Sequence, residues 1–300
     1  MNNILLLSIC FILGIGLRKS GRFHEKTATV LNAFIIHIAL PALTLLHVHT
    51  LKISTDIWLP ASMAWFFFAI SAVTFYGLGH LLHWDRSTTG CMMLVGGLGN
   101  TSFLGVPMIE TFFGKEGIPI GLVVDQLGSF LVISTLGIWT VNYYQGQSVS
   151  LKMLIKRIIV FPPFIALMLA VALIPYEFPA PLTYTLDRLG QTLAPLALFS
   201  VGFQIHFSKI NSLRIPLVLG LSFKLLIAPA MLFILYSTLT ADRYLLFDIT
   251  IFEAAMPPMI TAAILATEHD LRPELASLMV GIGIIVSMFT LPFWWVLLTL

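Results

Sequence analysis

Gly96-Gly97-Leu98-Gly99-Asn100-Thr101-Ser102-Phe103-Leu104-Gly105-Val106-Pro107 interrupts a stretch that is otherwise apolar enough to cross a membrane. Its four glycines and one proline weaken a helix, at about 1 kcal/mol for each Gly and about 3 kcal/mol for Pro relative to Ala. The segment therefore predicts a helix broken near mid-bilayer. Backbone N–H and C=O groups freed at that depth are costly against lipid, so they must face protein or a wet cavity. Asn100, Thr101 and Ser102 supply side-chain partners at the same level.

The rest of the chain fits that setting. Of 300 residues only 10% are charged and 58% are hydrophobic, and the mean hydropathy is +0.96. A soluble domain carries about a quarter charged residues, so this chain is solvated mainly by lipid. The apolar character recurs along the whole length, which excludes a soluble domain on a single anchor. A net charge of +2 gives no basis for a nucleic-acid partner. Cys10 and Cys91 lack the spacing of a disulfide framework or a zinc site, so no metal or cofactor is expected. Met1 to Leu17 has no basic residue before its apolar run and reads as a retained first helix rather than a cleaved signal.

Spanning helices need about 20 mostly apolar residues, and the charged or turn-forming breaks cut the sequence into ten such segments. They run approximately over 4–17, 28–48, 57–82, 88–113, 118–143, 154–174, 182–203, 215–239, 245–267 and 274–298. With the N-terminus outside, eleven of the Lys and Arg residues in the connections fall on the cytoplasmic side, Arg18, Arg86, Lys152, Lys209 and Arg272 among them. Only Lys52, Lys115 and Arg243 then lie outside. Cytoplasmic loops are enriched in such residues, so both termini are expected to be non-cytoplasmic.

The chain also repeats itself. Pro41 in the second segment and Pro107 in the fourth are 66 positions apart, and Pro195 in the seventh and Pro257 in the ninth are 62 apart. This predicts two five-helix units, 1–147 and 148–300. Five is odd, so the second unit enters the membrane from the opposite side, an architecture found in many secondary transporters. The ninth segment, Phe252-Glu253-Ala254-Ala255-Met256-Pro257-Pro258 with Thr261 beyond, repeats the interruption of the fourth. Two half-helix N-termini meeting at the midplane attract carboxylates or phosphates, and the opposing carbonyl ends suit a cation or a proton donor. The expected fold is an all-α membrane protein with broken crossover helices four and nine. The expected activity is carriage of a small organic anion.

Intramembrane charges cost about 2.5 to 3.5 kcal/mol on insertion scales and usually have a purpose. Lys224 lies ten residues after Arg214, roughly 15 Å along a helix, about half the hydrocarbon core. It is a candidate substrate contact, or one half of an ion pair with Asp125 or another acid. Asp125 and Glu253 stand at comparable depth and could pair with Lys224, hold a proton or balance an empty site. Asp187 and Arg188 read as a local pair near the outer interface, and Glu110 as solvated. His37, His47, His49, His80 and His83 fall mostly near segment ends and read as interfacial rather than as haem ligands. No HExxH, GxSxG or P-loop pattern occurs, so neither an enzyme nor an ATP-driven pump is expected.

These residues resemble the auxin efflux carrier family in its compact bacterial form and, more distantly, the bile acid symporter fold. The resemblance spans the full length and rests on the 100–107 and 252–258 motifs, with Ala266-Thr267-Glu268 and Pro273-Glu274-Leu275-Ala276 downstream. It implies a scaffold of helices one, two, six and seven, a transport domain moving like an elevator, and a homodimer through the scaffold. It also implies that Asn100 contacts the substrate carboxylate, with Pro107 and Pro257 marking the crossover. The interrupted segments and the intramembrane charges together give the candidate substrate site as Asn100, Thr101, Ser102, Gly105, Val106, Pro107, Pro257, Pro258, Thr261 and Lys224. Asp125 and Glu253 would serve coupling to protons or sodium, or charge balance. The long cytoplasmic loop of the plant hormone carriers is absent, the halves being joined by 144–152. A dicarboxylate of the malate or malonate kind, in a bacterial inner membrane, fits that better than auxin. The alternative is a channel-like or ligand-sensing membrane protein, though a pore needs no mirrored pair of breaks.

Overall fold

The computed structural model describes residues 2–48, 57–146, 150–204, 213–239 and 244–300. Lys52, Lys209, Arg243 and His49 of the reading above lie outside the described residues. The regular elements among those residues are all helices, with no strand and a lone antiparallel bridge between Gly99 and Pro258. In chain order the helices are α1 (Asn2–Lys19), α2 (Thr27–Val48), α3 (Trp58–Leu81), α4 (Arg86–Gly96), α5 (Val106–Phe113), α6 (Lys115–Gln145) and α7 (Leu151–Val160). They continue as α8 (Pro162–Ala172), α9 (Ala180–Gly190), α10 (Leu193–Gln204), α11 (Arg214–Leu239), α12 (Leu245–Ala254), α13 (Ile260–Glu268) and α14 (Pro273–Thr299).

Among the described residues five helices, α2, α3, α6, α11 and α14, are single rods long and apolar enough to cross a membrane, and α7 with α8 makes a sixth when the bent pair is counted as one. Several expected spans are instead divided. The fourth comes as α4 and α5, the ninth as α12 and α13, and the seventh as α9 and α10, separated at Gln191 and Thr192. The sixth bends at Phe161, whose ψ of 118° is extended, as a residue preceding proline must be.

Prolines also shape the unbroken rods. Ile35–Ala39, Thr101–Gly105 and Phe223–Ile227 are turns widened to the i→i+5 pattern, and each ends two residues before a proline, Pro41, Pro107 or Pro229. Proline has no N–H to give and its ring clashes with the carbonyl four residues back, and a wider turn relieves both.

The described residues pack as two compact units, each drawing on both halves of the sequence. One comprises Met1–Thr55, Ser102–Leu122 and Ile155–Ile205. Within it α1 lies directly against α10: a side chain at Gly14 would strike the Phe199 carbonyl, and one at Gly202 the Phe11 carbonyl. Small residues let helix backbones touch in this way in lipid, where burial alone does not drive helices together. Ser200 Oγ adds a 2.6 Å hydrogen bond to Asn32 Oδ1.

The other unit comprises Asp56–Thr101, Val123–Leu154 and His206–Leu300. Its α3 shows how the pattern works. Leu59, Met63, Phe67, Ser71, Phe75 and Gly79 recur every fourth residue and are all buried, since residues four apart share a helix face. Val73 and Leu81, on other faces, are 76% and 73% exposed, as expected of side chains that lipid covers. Phe67 and Phe75 both pack edge-on against Phe223 of α11, at 6.1 and 4.9 Å.

Candidate functional site

α4 starts cleanly and stops early. Asp85 caps it, accepting the Thr88 N–H at 2.6 Å, and the helix ends at Gly96 within a buried run. Glycine is required there: a side chain at Gly97 would strike the Met93 carbonyl and stand 2.9 Å from Ser71 Oγ. α12 stops for a different reason. The carbonyls of Glu253 and Ala254 would accept from the amides of residues 257 and 258, but both are prolines and have none. The chain then runs non-helical to Met259 before α13 begins.

The two interruptions meet. Asn100 N–H donates to the Pro257 carbonyl at 2.8 Å, and Met259 N–H donates to the Leu98 carbonyl at 3.0 Å. This antiparallel pair satisfies backbone groups that the breaks would leave open in a buried place, where an unpaired group is costly. Gly283 of α14 makes room for the crossing, since a side chain there would come within 2.7 Å of Pro258 Cδ.

Ionisable groups gather around it within the same unit. Asn100, Thr101, Asp125, Lys224 and Glu253 are all at most 2% exposed. Thr101 Oγ1 donates to Asp125 Oδ1 at 2.6 Å. Asp125 sits in a widened turn, Val124–Ser129, and Lys224 in another, Phe223–Ile227, and such turns are frequent at functional sites. Lys224 Nζ donates to the Ala254 carbonyl at 2.9 Å and lies 4.0 Å from the centroid of the Phe67 ring. The ion pair that was one of the two readings of Lys224 is not formed: among the described residues Lys224 makes no ion pair within 4.0 Å. Glu253 is wholly buried, and neither carboxyl oxygen has a hydrogen-bond partner among the described residues.

Of the sequence-derived candidates, Asn100, Thr101, Asp125, Lys224, Glu253, Pro257, Pro258 and Thr261 belong to this unit, with Thr261 half-buried at the start of α13. Ser102, Gly105, Val106 and Pro107 belong to the other. There Pro107 lines a cleft with Leu43, His47, Glu110, Lys115 and Asp187. Two readings change as a result. Glu110 is half-buried rather than solvated. Asp187 pairs with Lys115 at 3.5 Å instead of with Arg188, which donates to the Tyr184 hydroxyl at 3.2 Å. Phe67 and Gly99 escaped the candidate site altogether. The four-residue stripe of α3 marks Phe67 as inward-facing, but nothing local says which group it meets. Among the described residues no cluster of His, Cys, Asp and Glu could hold a metal ion, and both cysteines are free.

Helices long enough to cross a bilayer, holding a fully buried cation and two buried carboxylates around a pair of hydrogen-bonded breaks, define an integral, multi-pass membrane protein with an internal polar site. The family model described as "Membrane transport protein" matches residues 1–295, and the chain belongs to that family, which is the auxin efflux carrier family of the resemblance. Among curated relatives, an uncharacterized transporter of Methanothermobacter thermautotrophicus is 28% identical, over 98% of this chain and 97% of its own. One of Methanocaldococcus jannaschii is 27% identical, over 99% of each. A Rhizobium meliloti protein named "Putative malonate transporter" is 24% identical, over 87% of this chain and 83% of its own.

Proposed function

We propose that the protein is a secondary active or facilitative carrier of a small carboxylate, built as ten spans in two inverted five-helix repeats and working by elevator-type alternating access. The observation that carries this is the pair of hydrogen bonds between the interrupted stretches, Asn100 to Pro257 and Met259 to Leu98. One break belongs to each sequence half, and the crossing leaves helix N-termini beside it whose first amides have no intrahelical acceptor. Such ends favour an anion. Asn100, Thr101, Ser102, Gly105, Val106, Pro107, Pro257, Pro258 and Thr261 are the residues assigned to hold it, with Lys224 supplying positive charge and Asp125 and Glu253 balancing the empty site or taking part in coupling.

The elevator reading and a homodimer through the scaffold follow from the resemblance. The unit holding α1, α2, α8, α9 and α10 contains the helices of that scaffold, together with α5 and the start of α6, which the resemblance assigns to the mobile domain. The name of the Rhizobium meliloti relative makes malonate the first cargo to try. The membrane assigned is a bacterial inner membrane, with both termini non-cytoplasmic.

Purified protein in proteoliposomes tests this. Labelled malonate should enter saturably and should exchange with unlabelled malonate inside by counterflow. A conductance that never saturates would support the channel-like alternative instead.

A further inference from the structure

The tandem Pro257-Pro258 deprives two carbonyls of their helical partners, and the structure answers each differently. The Glu253 carbonyl takes the Met256 N–H at 3.1 Å, a tightened turn. The Ala254 carbonyl takes no backbone donor of its own helix; it takes the ammonium of Lys224 at 2.9 Å, carried in from α11. This carbonyl is at the C-terminal end of a half-helix, where the peptide dipoles place partial negative charge. In broken-helix transporters that is the position where a free cation is coordinated.

Two further features fit the ammonium to this seat. The Phe67 ring offers its negative face 4.0 Å away, a contact that strengthens when the cation is desolvated. Gly99 leaves the opening, since a Cβ there would stand 3.3 Å from Nζ. Lys224 itself is 1% exposed, and an unpaired ion at that depth is costly enough that its placement requires such partners.

We propose that Lys224 is a tethered cation filling the cation seat formed by the Ala254 carbonyl and the Phe67 ring beside Gly99, so that the carrier binds its anion without taking up a free sodium ion. This rests on reading the crossing as the transport site, and it narrows the coupling left open there. Removing the ammonium should leave the Ala254 carbonyl without its cation, a hard oxygen donor of the kind a small metal cation prefers.

The test is thermal unfolding of purified protein in nanodiscs, without substrate, in NaCl, KCl and choline chloride at equal ionic strength. Wild type should melt at the same temperature in all three. Lys224→Ala should melt lower in choline and recover several degrees in sodium, whereas Lys224→Arg should remain indifferent. A wild type stabilised by sodium over both other salts would overturn the proposal. So would a folded Lys224→Ala variant that responds to sodium no more than wild type does. If Lys224→Ala fails to fold in every salt, the wild-type comparison alone decides, equal melting supporting the tethered cation and sodium-specific stabilisation refuting it. No arm contains malonate, so failure of the carboxylate assignment would appear separately, as absent counterflow.

Discussion

Asn100 and Pro257 are joined main chain to main chain, the amide of one donating to the carbonyl of the other at 2.8 Å. The link uses no side-chain atom of either residue. A substitution at position 100 other than proline therefore leaves this link in place.

Asn100→Ala should keep the crossing and fold while losing carriage. A hydrogen bond to a charged group contributes about 1.5 to 3 kcal/mol, so malonate counterflow should fall about tenfold or more, with a melting temperature close to that of wild type. Counterflow in proteoliposomes beside a melting curve in the same lipid checks both halves. Unchanged counterflow would remove Asn100 from the site.

Gly97 at the end of α4 and Gly77 within α3 should separate by their surroundings. Gly97→Ala forces a Cβ onto the Met93 carbonyl and Ser71, and overpacking of that kind costs about 1 to 3 kcal/mol. Gly77 in α3 has nothing within 4 Å of where a Cβ would be, and replacing a mid-helix Gly by Ala gains up to about 1 kcal/mol. Melting temperatures should therefore move in opposite directions, down for Gly97→Ala and up or unchanged for Gly77→Ala.

Asp85 gives a pH signature outside the membrane-spanning segments. Partial burial pushes its carboxyl up, but the Thr88 amide hydrogen bond and the Arg272 charge outweigh that and hold it below the usual Asp range. A lowered folded pKa means that the stabilisation is fully present above the unfolded value, about 3.9, and is lost as pH falls through the folded value. Asp85→Ala should cost about 0.5 to 2 kcal/mol at pH 6 to 7, as for other helix caps, towards the lower end because the side chain is 53% exposed. The gap between wild-type and variant melting temperatures should narrow as pH drops below about 4. A gap constant down to strongly acidic pH would mean that the charge contributes nothing.

Much of this arrangement is legible in the sequence because glycine and proline act locally. The Gly96–Pro107 run and the Pro257-Pro258 pair announce helix breaks wherever they occur, and both breaks are present. Lys224, Asp125 and Glu253 announce themselves by being charged within apolar stretches. What they touch depends on helix packing, which local pattern does not encode. Lys224 thus reads either as a substrate contact or as half of an ion pair with Asp125 or another acid, and its ammonium goes to the Ala254 carbonyl while Asp125 takes the Thr101 hydroxyl. Asp187 is misread for the same reason. Its neighbour Arg188 is adjacent in the chain, but Lys115, some seventy residues earlier in the sequence, lies 3.5 Å away in space.

Equilibrium binding of matched acid and amide ligands tests the central claim most directly. Malonate, malate and acetate should be titrated against purified wild-type protein and Asn100→Ala, with malonamide and acetamide as neutral counterparts. Saturable binding of at least one acid, absent for its amide and weakened in Asn100→Ala, is the expected result. An amide that binds as tightly as its acid, or an acid site indifferent to Asn100→Ala, would contradict an anion held at the crossing of the two broken helices.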